Sequence, residues 1–306
     1  MAAYILRRIF YAVFVLWGAL TVIFMVVRIL PGDPASLMLG AGATAEEVDA
    51  LQNQLGLDVS LPEQYITFIG DAVRLDFGES LWLNRPVLTS VSERIAATGR
   101  LALAAMVIAM LVSFPLGILA ALRQRTFVDY LVSVMSLIGQ SVPSFWLGIM
   151  LILLFARYLR LLPSAGSQTW QHLILPATTL ALPLVGVLTR LVRSGLLEVM
   201  HEDYIRTARA KGLAPSAVLT RHAMRNMLIP VVTVIGIQLG NLLGGAVIVE
   251  TVFGWPGIGR LLVDAIFQRD YPLVQASILL ITSTFIVINL LVDISYVYLN
   301  PRIRLR

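Results

Sequence analysis

Six long stretches without a single charged side chain constrain this chain more than any other feature. They run over Ile9–Val27, Leu101–Leu122, Tyr130–Ala156, Leu173–Thr189, Asn226–Val249 and Tyr271–Val292. A helix needs about 20 apolar residues to cross the hydrocarbon core. Backbone polar groups in lipid must be satisfied within the segment, so each stretch reads as a helix. The third is long enough to tilt. The fourth is the shortest and carries Pro176 and Pro183. The expectation is an all-α, polytopic membrane protein with six transmembrane helices. The first stretch is too long for a secretory h-region, and Pro31-Gly32-Asp33-Pro34 follows it instead of a small-residue cleavage site, so it reads as retained.

Composition agrees and removes several chemistries. Only 13% of the residues are charged and 58% are hydrophobic, against roughly 25% charged in a soluble domain. There is no cysteine, so thiolate metal sites and cysteine nucleophiles are excluded. His172, His201 and His222 are far apart and fit no ligand spacing, so no metal site is expected. No nucleophile-elbow motif and no phosphate-binding G-x-x-x-x-G-K-[ST] loop occurs, so no catalytic residues and no bound ATP are expected on this chain.

The basic residues set a direction. Arg7, Arg8, Arg123, Arg125, the Arg190–Arg225 run and Arg302, Arg304 and Arg306 together hold 14 of the 23. Residues 31–99, by contrast, carry ten acidic side chains against three arginines. Positive charge collects on the cytoplasmic side. Both termini are therefore expected on the cytoplasmic side of the membrane. The net charge of +5 then belongs to the lipid-facing inner surface, and no nucleic acid is expected as a partner. The expected organisation is an N-terminal segment with the first span (1–30), a periplasmic helical loop (31–99), and a transmembrane core (100–306) with a cytoplasmic loop at 197–226.

Both long loops carry helix punctuation. Thr44-x-x-Glu47 and Ser60-x-x-Glu63 are capping boxes, and Gly56 is a stop between them. After the second box Tyr65, Phe68, Ile69, Ala72 and Val73 recur at helical spacing. A cap packed on the membrane domain and a docking surface for an external partner both fit this pattern. In the 197–226 loop, Glu198, Glu202 and Asp203 precede Arg206, Arg209 and Lys211, as a helix dipole favours. Glu202 and Arg206 stand at i,i+4. Gly212 is a C-cap, and Pro215 opens a second helix. Two short helices hinged at a glycine are expected. The Glu250–Gly259 loop is rich in glycine and proline, and Phe253 and Trp255 suit the interfacial aromatic belt.

At these residues the sequence resembles the permeases of binding-protein-dependent ABC importers, in their dipeptide/oligopeptide/nickel branch. The resemblance lies in Tyr204-Ile-Arg-Thr-Ala-Arg-Ala-Lys-Gly-Leu213, Arg221-His-Ala-Met-Arg-Asn226, Ile229-Pro230, Pro31-Gly32-Asp33-Pro34, Asp76-Phe-Gly-Glu-Ser-Leu81 and the loop from Glu250 to Leu261. It runs to Asn300-Pro301-Arg302 and so covers nearly the whole chain. It implies a type I importer permease fold, alternating access, and import of di- or oligopeptides. The implied partners are a second homologous permease, two ATPase subunits carrying ATP and magnesium, a periplasmic or lipid-anchored substrate-binding protein, and membrane lipid.

The 197–226 loop resembles the family's EAA loop, its glycine falling on Gly212. The Glu-Ala-Ala triplet falls on Arg206-Thr207-Ala208, so only the last alanine is kept. Arg225 stands where many relatives have proline. The resemblance implies ATPase coupling through Arg206, Thr207, Ala208, Gly212, Leu213, Pro215, Arg221, His222 and Arg225, with a coupling helix near Leu213–Arg225.

Within the spans, Gly236, Gly240 and Gly244 repeat every fourth residue and suit close helix packing. Gln238 and Asn241 on the same span, and Gln140 and Ser141 before Pro143, suit interhelical hydrogen bonds or a wet pathway. Asp293 is the one carboxylate reading as deep in a span, placed to pair with an inner arginine. The alternative is an ion-coupled secondary transporter of small polar solutes. That class calls for paired intramembrane charges and internal repeats, and neither is evident here.

Overall fold

The computed structural model describes residues 2–29, 34–40, 42–54, 56, 58–80 and 82–299. The expectations for Pro31-Gly32-Asp33, Leu81, the Asp293 side chain and the Asn300–Arg306 tail lie outside what is described. The chain divides into two compact units, Met1–Thr98 with Pro256–Val287, and Gly99–Trp255 with Ile288–Arg306.

All six apolar stretches are helical. Five helices are long and apolar enough to cross a membrane, and a bent pair makes a sixth candidate. The helix α1 (Ala2–Ile29) holds the first. The second lies in the back part of α5 (Val87–Leu122), which starts well before Leu101, inside the segment read as a loop. The third is not a tilted rod. The helix α6 (Phe127–Ser141) stops at Val142-Pro143, and α7 (Ser144–Leu151) leaves at 102° and runs on as π-helical turns to Tyr158. Proline cannot donate to the helix ladder and pushes the residue before it out of the helical region. Val142 is accordingly extended, at φ −78° and ψ 125°.

The shortest stretch proves to be part of the most buried of the span-length helices. The helix α8 (Gln171–Met200) passes through both prolines without a break. Leu175, Ala177, Leu180, Ala181, Leu184 and Leu188 are buried along it.

In the first unit, α2 (Pro34–Leu39), α3 (Ala45–Gln54) and α4 (Leu61–Arg74) fill the 31–99 segment. Both capping boxes form. The Thr44 amide and hydroxyl donate to Glu47 Oε2 at 2.8 and 2.9 Å, and the Glu47 amide donates back to Thr44 Oγ1 at 3.3 Å. The Ser60 amide and hydroxyl donate to Glu63 Oε2 at 3.2 and 2.9 Å. Those two donations to Glu47 hold its carboxyl below the usual glutamate range.

The helix α4 packs on α1, as the cap reading expects. Tyr65 and Phe68 rings lie 5.2 and 5.7 Å from the Phe24 ring, and the Tyr65 hydroxyl meets Thr21 Oγ1 at 2.7 Å. Val73, grouped with that face by spacing, points to solvent at 77% exposure.

A short hairpin, β1 (Glu79–Ser80) with β2 (Arg85–Pro86), follows α4. It is tied to the start of α13 (Tyr271–Leu299) by one buried carboxylate, Asp270. Asp270 Oδ2 accepts the Ser80 hydroxyl at 2.5 Å and the Trp82 amide at 3.2 Å, while Oδ1 accepts the Leu273 amide at 3.1 Å. A helix absent from the sequence reading, α12 (Ile258–Phe267), buries Ile258, Leu261 and Ala265 against Val87 and Val91.

In the second unit, α11 (Met224–Val252) and α8 form the centre. Phe253 and Trp255 do not sit in an interfacial belt; they are 2% and 4% exposed. The Trp255 amide turns back to the Glu250 carbonyl at 2.8 Å, and Gly254 is left-handed at φ +58°. That turn places the Phe253 ring against Gly148, where a Cβ would come within 3.0 Å of it.

Candidate coupling turn and pathway lining

The 197–226 loop folds as a closed turn between two long helices. Glu202 stands extended just ahead of α9 (Asp203–Ala210), and its carbonyl accepts the Ile205 and Arg206 amides. The expected Glu202–Arg206 pair is replaced by Asp203–Arg206 at 3.3 Å. Glu202 precedes the helix, so its side chain is off the helical face that Arg206 occupies; Asp203 is the first residue on it.

The far end of α9 closes as the glycine predicts. Gly212 is left-handed at φ +76°. Its amide donates to the Arg209 carbonyl at 2.9 Å, and the Leu213 amide reaches back to Ala208 at 3.4 Å. This paired arrangement satisfies the last helical carbonyls and requires a residue that tolerates positive φ.

Two side chains hold α9 down. Ile205 and Ala208 are 0% and 5% exposed and pack with Val192 and Leu196 of α8 and with Val218, Ala223, Met227 and Val231. Ala208 thus turns its small side chain into this core. Arg206, Thr207 and Arg209 face outward, with Lys211 and Leu213 exposed beside them. The Thr207 hydroxyl donates to the Asp203 carbonyl at 3.0 Å, and Asn226 Nδ2 donates to the Tyr204 hydroxyl at 2.7 Å.

The second half differs from expectation. Pro215 does open a helical turn, α10 (Pro215–Ala217). That turn continues through a π-helical segment, Val218–Ala223, straight into α11. Leu213–Arg225 is thus no separate helix but the leading end of the fifth span. Nothing after Pro215 breaks the chain, because no glycine or further proline intervenes before Pro230. Arg221 and Arg225 are exposed on it and His222 is half-buried.

The residues singled out within the spans separate into different roles. Gly236 is buried against Val292, whose side chain would collide with any added Cβ. Gly240 is buried as well, but Gly244 is exposed, with nothing within 4 Å of a Cβ there. A four-residue repeat drifts by about 40° per step on a helix of 3.6 residues per turn, so the three glycines do not share one contact. Gln238 and Asn241 bond to each other at 2.9 Å, along the helix and not across to another. Gln140 does bridge helices, accepting from Arg190 at 3.0 Å. Ser141 bonds back to the Leu137 carbonyl at 2.9 Å.

One pair escaped the sequence reading. Asp129, 3% exposed at the start of α6, takes Arg193 of α8 in two parallel bonds, 2.5 and 2.8 Å. The signal available was an aspartate opening a span, facing an arginine otherwise counted only towards topology. Beside this pair, residues of α6, α8 and α11 line an open pocket of about 460 Å³.

The match to known proteins covers nearly the whole chain. The family described as binding-protein-dependent transport system inner membrane component matches residues 113–305, and its N-terminal counterpart matches residues 1–102. The glutathione transport system permease protein GsiC of Escherichia coli K12 is 43% identical over 304 residues, 99% of each chain. The GsiC of Escherichia coli O6:H1 strain CFT073 is 42% identical over the same span. Among solved structures, a chain of the MetNI methionine ABC transporter in an inward-facing conformation aligns with a TM-score of 0.57. It covers 69% of this chain and 96% of that one at 18% identity, a likeness of fold. The chain belongs to the inner-membrane component family of binding-protein-dependent transport systems, in its dipeptide/oligopeptide/nickel branch, and is a permease subunit of an ABC importer.

Proposed function

We propose that this subunit imports peptide-like solutes, di- or oligopeptides or glutathione, by alternating access, with both termini in the cytoplasm. It works with a second homologous permease, two ATPase subunits that bind ATP and magnesium, and an external substrate-binding protein. The glutathione transport named for the relatives at 43% identity supports a peptide-like solute. The distribution of basic residues supports the orientation.

The observation that carries the mechanism is the turn around Gly212. Ile205 and Ala208 anchor α9 into the core formed by α8 and the head of α11. Its opposite face presents Arg206, Thr207 and Arg209 outward, with Lys211 and Leu213 next to them. A rigid basic projection joined to two spans is suited to dock on an ATPase and pass its motion into the membrane. Because Pro215–Arg225 is continuous with α11, a push on Arg221, His222 or Arg225 moves the fifth span directly.

Gly212→Pro tests this. Proline fixes φ near −65° and lacks the amide that caps Arg209. The expected result is normal insertion with ATP-driven uptake and binding-protein-stimulated ATPase activity both lost from the reconstituted complex. Full transport by that variant would refute the coupling role.

A further inference from the structure

The helix α8 carries two arginines, Arg190 and Arg193, just past its uncharged stretch Leu173–Thr189, and their surroundings differ. Arg193 is matched by both oxygens of Asp129. Arg190 meets the neutral amide oxygen of Gln140 at 3.0 Å, and the ion pairs among the described residues do not include it.

That neutral contact is built into the helix packing. Gln140 Nε2 donates to the Ser136 carbonyl at 3.2 Å, which points its oxygen at Arg190. Gly186, one turn before Arg190, leaves the room: a Cβ there would come within 2.9 Å of Gln140 Cγ and Nε2. A guanidinium has five N–H donors, so most of those on Arg190 are left for another acceptor.

Both arginines line the open pocket of about 460 Å³ with Ser133, Ser194, Val187 and Val234. Its size falls within the range of small-molecule sites. With Asp129 committed to Arg193, the lining keeps one positive charge that no carboxylate among the described residues offsets.

We propose that this pocket receives a carboxylate of the transported solute, with Arg190 as the counter-charge and Gln140 as the residue that positions it. The proposal rests on the permease reading and names the chemistry of the solute: an organic anion such as a peptide with a free C-terminus. A guanidinium binds a carboxylate through two parallel hydrogen bonds. A lipid phosphate offers the same oxygens. The fixed polar groups of Gln140, Ser133 and Ser194 favour the solute, since a headgroup needs only the charge.

The chain has no cysteine, so Ser194→Cys places a single thiol in the pocket wall. The assembled transporter carrying it is put in nanodiscs, and labelling by an anionic and a cationic methanethiosulfonate is timed. The anionic reagent is expected to react about tenfold faster. Adding Arg190→Gln abolishes that preference, and Arg190→Lys restores it. S-methylglutathione or a dipeptide acid slows labelling, and the matching dipeptide amide does not. Equal reactivity of the two reagents overturns the proposal, as does equal protection by acid and amide. Protection that follows the anionic lipid content and ignores the peptide also overturns it, making Arg190 a headgroup anchor. Charge preference and acid protection that persist in a complex showing no ATP-driven uptake would fault the permease reading and leave the site standing.

Discussion

The hairpin at residues 79–86 and the turn at residues 202–215 are both short connections next to long helices, and they are held in opposite ways. The hairpin is tied by polar bonds converging on a buried carboxylate: Asp270 takes two donors from the hairpin and one from its own helix. The turn is held by two apolar side chains, Ile205 and Ala208, and by a left-handed glycine, while its charges remain in solvent. Directional bonds to a buried acceptor fix one geometry and are costly to break. Apolar packing fixes a position yet lets an element move together with what it packs on. The first arrangement suits a static clasp and the second suits an element that must travel with its helices.

The largest expected effect comes from breaking the clasp. Asp270→Ala strands the Ser80 hydroxyl and the Trp82 and Leu273 amides and should cost about 3 kcal/mol or more. Thermal unfolding in detergent measures this, and limited proteolysis should show cleavage in the 31–99 segment. Asp270→Asn keeps an acceptor and should lose less. A change under about 1 kcal/mol for alanine would mean that the clasp is not what holds the hairpin.

Next comes the turn itself. Ala208→Leu overfills the core under α9 and should cost about 1–3 kcal/mol, with stimulated ATPase activity falling further than stability does. Arg206→Ala removes an ion pair whose side chains are 79% and 92% exposed, so stability should change by under about 0.5 kcal/mol. If Arg206→Ala unfolds the turn, the apolar account of its anchoring is wrong.

A smaller contrast lies along α11. Gly236→Ala collides with Val292 and should destabilise by about 1–2 kcal/mol, with partial recovery in the Gly236→Ala, Val292→Ala double variant. Gly244→Ala meets nothing and should be neutral or stabilising by up to about 1 kcal/mol. Equal losses at the two positions in the isolated chain would contradict the packing seen here.

The smallest effect is local. The folded-state pKa of Glu47 is depressed, so its contribution to α3 is present above the usual glutamate range and is lost as pH falls through the lowered value. The protection of the amides over residues 45–54, measured as exchange relative to the intrinsic rate at each pH, should fall as the pH drops from about 7 to about 3. Glu47→Gln should flatten that profile.

Much of this was legible from local chemistry. Uncharged length marked every span, and the two capping boxes and Gly212 sat at the helix ends they were expected to punctuate. The errors share a cause. Val73, Phe253 and Trp255 were placed by spacing or by residue type, whereas burial depends on which surface arrives opposite. The α12 helix was missed because it is ten residues long and follows the glycine-rich turn without an uncharged run. The Glu202–Arg206 pairing failed because helix boundaries shift which side chains share a face. Asp129–Arg193 and Asp270–Ser80 join residues 64 and 190 positions apart, a distance over which no periodicity carries information.

By itself the sequence determined that this chain lives in lipid, that it is helical, and where its helices are punctuated. Those properties follow from solvation and backbone geometry, which each segment settles on its own. Its likeness to importer permeases was likewise readable in local motifs. Only the tertiary structure decided that Gly236 and Gly244 differ, that the helix carrying the fifth span begins at Pro215, and that Arg190 faces an open pocket with no carboxylate partner among the described residues. Each of these depends on which side chains meet across helices, and close packing makes that choice collectively.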